Sequence, residues 1–166
     1  MPDAVDASAP ARPGAVADRV ALAVATVAGV GRAPLAPGTV ASALTATLLW
    51  LVPFSPAGLL VLLLVVVAAG TWAAHRAERL LGAKDPGAIV VDEVAGMMLA
   101  VVVLPLTPAV LIAGFVLFRV FDVLKPPPAH AGQRLAGGVG VMVDDLVAGL
   151  YALAALVALR VVAGWP

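Results

Sequence analysis

The sequence predicts an all-α fold: a polytopic, membrane-embedded helical bundle with short hairpin helices and a site at one face of the bilayer. Three observations predict it. Of 166 residues, 63% are hydrophobic and 12% charged, about half the charged share of soluble domains. Mean hydropathy is +1.09. The apolar residues also fall into runs separated by short polar or Pro-rich segments. A soluble chain of this length must turn much of its surface to water. Lipid removes that demand, and helices satisfy their own backbone groups there.

Composition also excludes some functions. Net charge is zero, so the electrostatic footprint of a nucleic-acid binder is missing. The chain has no Cys, which excludes disulfides and thiol catalysis. Its length suggests one domain.

Residues 1–19 are rich in Ala and Pro and carry Asp3, Asp6 and Asp18. They lack the basic start and apolar run of a signal peptide and read as a disordered tail. Residues 20–166 form the expected membrane-embedded domain.

Its apolar stretches are 20–30, 40–52, 57–74, 94–104, 109–118 and 146–163. About 20 residues cross the hydrocarbon core, so the third and the last approach that length alone. The first is too short to span and reads as interfacial or re-entrant. The breaks Pro53-Phe-Ser-Pro56 and Pro105-Leu-Thr-Pro108 carry no charge. If both are hairpin tips, then Arg32, Arg76, Arg79, Lys84, Arg119, Lys125 and Arg134 all lie on one side. The positive-inside bias makes that side cytoplasmic. A single crossing over 94–118 would instead separate Asp92 from Arg119. Near the far end, Trp165 suits the opposite interface and Arg160 can snorkel.

Four polar segments lie on the proposed cytoplasmic side, and each has a bland alternative. Gly31-Arg-Ala-Pro-Leu-Ala-Pro-Gly-Thr39 favours a turn, with Thr39 capping the next helix. The amides there would favour an anion. Lys84-Asp-Pro-Gly-Ala-Ile-Val-Val-Asp-Glu93 places Asp92 and Glu93 at a helix start, where the dipole favours acids. In so apolar a setting, however, a carboxylate pair is a functional candidate by default. Arg119, Asp122 and Lys125 are spaced i, i+3, i+6 and share a helical face, as a surface ion-pair ladder would. Pro126 to Pro128 then stops that helix. Gly137-Gly-Val-Gly-Val-Met-Val-Asp-Asp145 opens the last helix, where Asp144 and Asp145 could be an N-cap and a dipole partner.

Together the segments bring five acids, Asp92, Glu93, Asp122, Asp144 and Asp145, to where spans meet water. His75 and His130 are isolated and read as interfacial polar residues. Oxygen ligands without spaced His or Cys suit Mg²⁺ rather than zinc. Arg119, Lys125 and Arg32 add anion donors, a set suited to phosphoryl chemistry. A Walker-type phosphate loop is absent.

At these residues the sequence resembles the phosphatidylglycerophosphatase A family. The matching stretches are Ala36-Pro-Gly-Thr-Val-Ala-Ser42, Ile89-Val-Val-Asp-Glu-Val-Ala-Gly-Met97, Phe118-Arg-Val-Phe-Asp-Val-Leu-Lys-Pro126 and Gly137-Gly-Val-Gly-Val-Met-Val-Asp-Asp-Leu-Val-Ala-Gly149. They occur in family order. The chain departs at Pro127, Ala129 and Ala136, which bears on the shape of the Pro-rich turn and spares the five acids.

The resemblance implies a bacterial inner-membrane enzyme that uses Mg²⁺ to hydrolyse phosphatidylglycerophosphate to phosphatidylglycerol and phosphate in phospholipid synthesis. It implies Asp92, Glu93, Asp122 and Asp145 as catalytic residues and all five acids as metal ligands. Arg119, Lys125, Arg32 and Thr39 would bind the phosphate of an anionic phospholipid drawn from the bilayer. Water attack and an aspartyl nucleophile both remain open. Three other classes compete. A CDP-alcohol phosphotransferase should carry an Asp-x2-Asp-Gly-x2-Ala-Arg signature, which is absent. An ion-coupled transporter should place its acids near the midplane. An assembly subunit leaves the grouped acids unexplained.

Overall fold

The computed structural model describes residues 14–127 and 135–164. They form six helices: α1 (Ala15–Ala25), α2 (Pro37–Leu51), α3 (Pro56–Leu81), α4 (Val91–Val101), α5 (Pro108–Leu124) and α6 (Gly138–Ala163). A 3-10 turn, Val30–Arg32, stands between α1 and α2, and no strand occurs among the described residues.

The helix starts follow from the sequence. α2, α3 and α5 each open on Pro, where the missing N–H would have gone unpaired anyway. Ser55 caps α3 by accepting from the Gly58 N–H at 3.1 Å, and Thr107 caps α5 by accepting from the Val110 N–H at 3.3 Å. Each charge-free break therefore ends one helix and starts the next. α4 stops at Val101, so residues 94–118 are not one crossing. Glu93 faces Arg119 at one end of the α4–α5 pair, and Val101 meets Gly114 farther along. The two helices run antiparallel. Both Pro-rich turns line a single cavity of about 330 Å³. The hairpin tips thus share one end of the bundle, and the acids occupy the other.

α3 and α6, of 26 residues each, are long and apolar enough to cross a membrane. α4 is the central element and packs against α2, α3, α5 and α6. Its Val91, Ala95, Met97, Met98, Ala100 and Val101 are buried. α1 lies on α3, and Ala21, Ala25, Ala73, Ala74 and Ala77 are all fully buried. Such small residues allow close helix approach where lipid gives no hydrophobic drive to association.

Three expectations are corrected. α1 begins at Ala15, inside the stretch read as a tail: it packs against α3, and Asp18 is tied to Arg76 by an ion pair of 2.6 Å. α2 begins at Pro37 with Ala36 at the cap position in a left-handed conformation, φ 45°, so Thr39 lies in the first turn and is not the cap. α6 begins at Gly138, which puts Asp144 and Asp145 well inside the helix rather than at its cap. The expectations for residues 1–13, Pro128, Ala129, His130, Arg134 and Trp165 lie outside the described residues.

Candidate active site

Asp92 stands one helical turn before Gly96 on α4, and Asp145 one turn before Gly149 on α6. Residues four apart share a helix face, so each acid rises directly above a glycine. The two glycines are where the helices cross. A Cβ on Gly149 would lie 2.5 Å from the Gly96 carbonyl oxygen, and one on Gly96 would lie 2.7 Å from the Asp145 carbonyl oxygen. The close crossing brings Asp92 and Asp145 side by side, and Glu93 joins them from the first turn of α4. One oxygen from each of the three falls within 4.8 Å of the others.

The trio is buried. Asp92 is 7% exposed and Asp145 4%. Asp92 Oδ1, Glu93 Oε2 and Asp145 Oδ2 are buried without a hydrogen-bond partner among the described residues. Unpaired buried carboxylates are costly, and like charges so close repel. Three converging oxygen acceptors are the donor set of a hard divalent cation. The residues present therefore fit such an ion, and among the described residues no histidine joins the group. His75 is exposed on α3, with its ring beside Gly137.

The first turn of α2 closes the site from the side. A Cβ on Gly38 would overlap the Glu93 carboxylate where it now lies, so glycine leaves room for that side chain against α2. The buried hydroxyls below it are satisfied within α2, Ser42 donating to the Gly38 carbonyl and Thr45 to the Ala41 carbonyl, each at 2.8 Å.

Two cations flank the trio. Arg119 Nη1 lies 2.7 Å from Asp122 Oδ2 and 4.0 Å from Glu93 Oε1. Lys125 Nζ donates to Asp144 Oδ2 at 3.1 Å. The expected shared helical face of Arg119, Asp122 and Lys125 is thus only half realised. α5 ends at Leu124, and Lys125 takes a left-handed conformation, φ 45°, that turns it towards α6. Burial pushes the Lys125 ammonium down, but the hydrogen bond and charge of Asp144, with the charges of Asp122 and Asp145, outweigh it and hold Lys125 above the ordinary lysine value.

Of the five acids expected to gather, the structure groups three. Asp122 and Asp144 each hold a cation, although Asp144 Oδ1 is also buried and unpaired. Thr39 and Arg119 line a common groove. Arg32 is exposed in the 3-10 turn, and no ion pair joins it to the acids among the described residues. A polar cavity of about 350 Å³, lined in part by Glu78, Lys84, Asp85 and Asp144, adjoins the site. Sequence reasoning took Gly38 only as a turn residue and gave no positioning role to Gly96 and Gly149. The signal for two of them was present: an Asp followed four residues later by Gly in both α4 and α6.

The model of the phosphatidylglycerophosphatase A family matches residues 23–160. A Bacteroides thetaiotaomicron protein, provisionally named a phosphatidylinositol-3-phosphatase, is 38% identical over 85% of this chain and 94% of its own length. The phosphatidylglycerophosphatase A of Escherichia coli strain K12 is 36% identical over 74% of this chain and 73% of its own. That of Haemophilus influenzae is 33% identical over 80% and 83%. No solved structure matches the chain.

Proposed function

The chain belongs to the phosphatidylglycerophosphatase A family, and we propose that the carboxylate trio with Arg119 and Lys125 is its catalytic centre. The enzyme is a membrane lipid phosphatase that hydrolyses phosphatidylglycerophosphate to phosphatidylglycerol and phosphate in phospholipid synthesis. The observation that carries the site assignment is the convergence of three carboxylates, each with a buried oxygen that has no hydrogen-bond partner among the described residues, beside two cations.

Asp92, Glu93 and Asp145 are the residues that would hold Mg²⁺. When bound, the ion supplies Lewis-acid polarisation of the phosphate and a more acidic water. The chain's own residues do the rest. Arg119 presents planar donors that can grip two phosphate oxygens. Lys125 adds a compact charge. Both offset the negative charge on the equatorial oxygens. Asp122 and Asp144 act through these cations by fixing their positions. A carboxylate of the trio orients the attacking water and accepts its proton. The water oxygen bonds to phosphorus, the ester P–O bond breaks, and the departing glycerol oxygen takes up the proton that the carboxylate accepted.

The site faces the cytoplasm in this reading. Arg32, Arg76, Arg79, Lys84, Arg119 and Lys125 all belong to the acidic end of the bundle, opposite the uncharged hairpin tips, and the positive-inside bias sets the orientation. With the acids gathered at one end, the arrangement suits a surface enzyme better than a transporter, whose acids belong near the midplane.

The name of the Bacteroides thetaiotaomicron relative favours a second substrate to be tested beside the first, another phosphate monoester on a lipid polyol. Purified protein in detergent is given phosphatidylglycerophosphate, phosphatidylinositol 3-phosphate or phosphatidate, and inorganic phosphate is measured. Fastest release from phosphatidylglycerophosphate supports the reading. Preference for the phosphoinositide would replace it, and no release from any of them would overturn the phosphatase reading.

A further inference from the structure

A seam between α2 and α5 runs from the site into the apolar flank of the bundle. At its polar end, Thr39 and Arg119 share a cavity of about 520 Å³ with Phe115, Val116, Val120 and Val123. A second cavity of about 360 Å³ lies farther along, between Ala43, Ala46 and Trp50 on α2 and Leu111 and Ile112 on α5. Phe115 lines both, so the two meet there. The seam is apolar along its length. Its one hydroxyl beyond Thr39, that of Thr47, is spent on the Ala43 carbonyl at 2.8 Å. Ala43 and Ala46 give it depth, since larger side chains there would fill it.

Three features commit the seam to one occupant. Its mouth is Arg119, which also faces Glu93 and Asp122 in the site. The rise from Thr39 to Trp50 is about 16 Å at 1.5 Å per residue. That is about half of the ~30 Å hydrocarbon core, the depth of one leaflet. Finally, the other cavity bordering the site carries Glu78, Lys84, Asp85 and Asp144, charged walls unsuited to a hydrocarbon chain. A phospholipid whose terminal phosphate lies at the acids must send its chains back into the leaflet, and the seam is the apolar way out.

We propose that the α2–α5 seam holds an acyl chain of the phospholipid substrate, so that the lipid enters sideways from the leaflet and its head group passes Arg119 to reach the acids. This rests on the phosphatase reading above. The seam then selects for chain length, because binding energy from a remote part of the substrate is used at the reacting centre.

The test fills the seam. Ala43→Trp and Ala46→Trp are compared with the wild type on a long-chain phosphatidylglycerophosphate and its dihexanoyl analogue, with Val61→Trp, on the exposed face of α3, as the control. Each seam variant is expected to lose at least about tenfold in kcat/KM on the long-chain lipid and to keep about the wild-type value on the short one. Val61→Trp should change neither. Wild-type rates on both lipids in both seam variants would overturn the proposal, as would equal losses on both lipids. A wild type inactive on both lipids would overturn the phosphatase reading, and the seam with it.

A second measurement needs no filled seam. In a Trp72→Phe, Trp165→Phe background, Trp50 reports on the inner end of the seam. Chain-brominated phosphatidylglycerophosphate should quench it more than chain-brominated phosphatidylcholine at the same mole fraction. Equal quenching would mean that the seam holds bulk lipid without preference for the substrate, and would overturn the proposal even if the filled variants fail to fold.

Discussion

Gly149 of α6 packs onto Gly96 of α4 so closely that a single added methyl carbon on Gly149 would press on the Gly96 carbonyl oxygen. The contact sits one turn below Asp145 and Asp92, and it sets the distance between them. Because the obstacle is backbone, it cannot swing aside. Gly149→Ala should lower stability by roughly 1–3 kcal/mol, the usual range for overpacking. It should also raise the Mg²⁺ concentration needed for half-maximal activity, since the two carboxylates move apart. Gly87→Ala, with nothing within 4 Å of the new carbon, should change neither. Thermal unfolding in detergent and a metal titration of phosphate release check both effects.

Removal of divalent cations should abolish activity. The unpaired oxygens of Asp92, Glu93 and Asp145 leave the trio electrostatically unbalanced without an ion. Mg²⁺ should restore the rate, Mn²⁺ should substitute, and metal analysis should find no stoichiometric zinc, because oxygen donors favour hard cations. Full activity after exhaustive chelation would falsify this account of the trio.

Lys125 should stay charged throughout the neutral and mildly alkaline range. Its folded value is raised by Asp144, Asp122 and Asp145 against the effect of burial. A cation raised in the fold contributes stability that is fully present below its unfolded value, near 10.4, and is lost as pH rises through the folded one. The stability gap between the wild type and Lys125→Met should therefore be constant up to about pH 10 and shrink above it. A gap that closes between pH 7 and 9 would show that the Lys125–Asp144 pair does not behave this way in solution.

The chain carries no native cysteine, so single cysteines can report its sidedness. Cysteines at Lys84 and Arg32 should react with an impermeant thiol reagent from the cytoplasmic side. Cysteines at Ser55 and Leu106, in the two hairpin tips, should react from the other. Labelling of the Ser55 and Lys84 positions from the same side would break the hairpin topology.

Much of this architecture was legible before any coordinates. The hairpin tips could be read because Pro residues break the apolar runs there and neither break carries a charge. The acids could be read because charge is conspicuous in so apolar a chain. Their partition could not. Separating Lys125 from the Arg119–Asp122 pair depends on one left-handed residue at the end of α5, and spacing alone carries no such information. The start of α6 was hidden because glycines disfavour helix intrinsically. Here tertiary packing overrides propensity: a Cβ on Gly138 would overlap the Thr71 carbonyl oxygen. The start of α1 was hidden because its anchor, Arg76, lies 58 residues from Asp18.

The central claim is that Asp92, Glu93 and Asp145 form the reaction centre rather than a set of helix caps, and charge-removing substitutions test it most directly. Phosphate release from phosphatidylglycerophosphate is measured for reconstituted wild type, Asp92→Asn, Asp145→Asn and Arg119→Lys, with Arg79→Ala as the control and monodispersity as the fold check. Both Asn variants should lose at least about a hundredfold in turnover, the scale of losing a pre-organised electrostatic partner. Arg119→Lys should also be impaired, because an ammonium cannot replace a two-donor grip, and Arg79→Ala should match the wild type. Asn variants that fold and turn over near the wild-type rate would contradict the account.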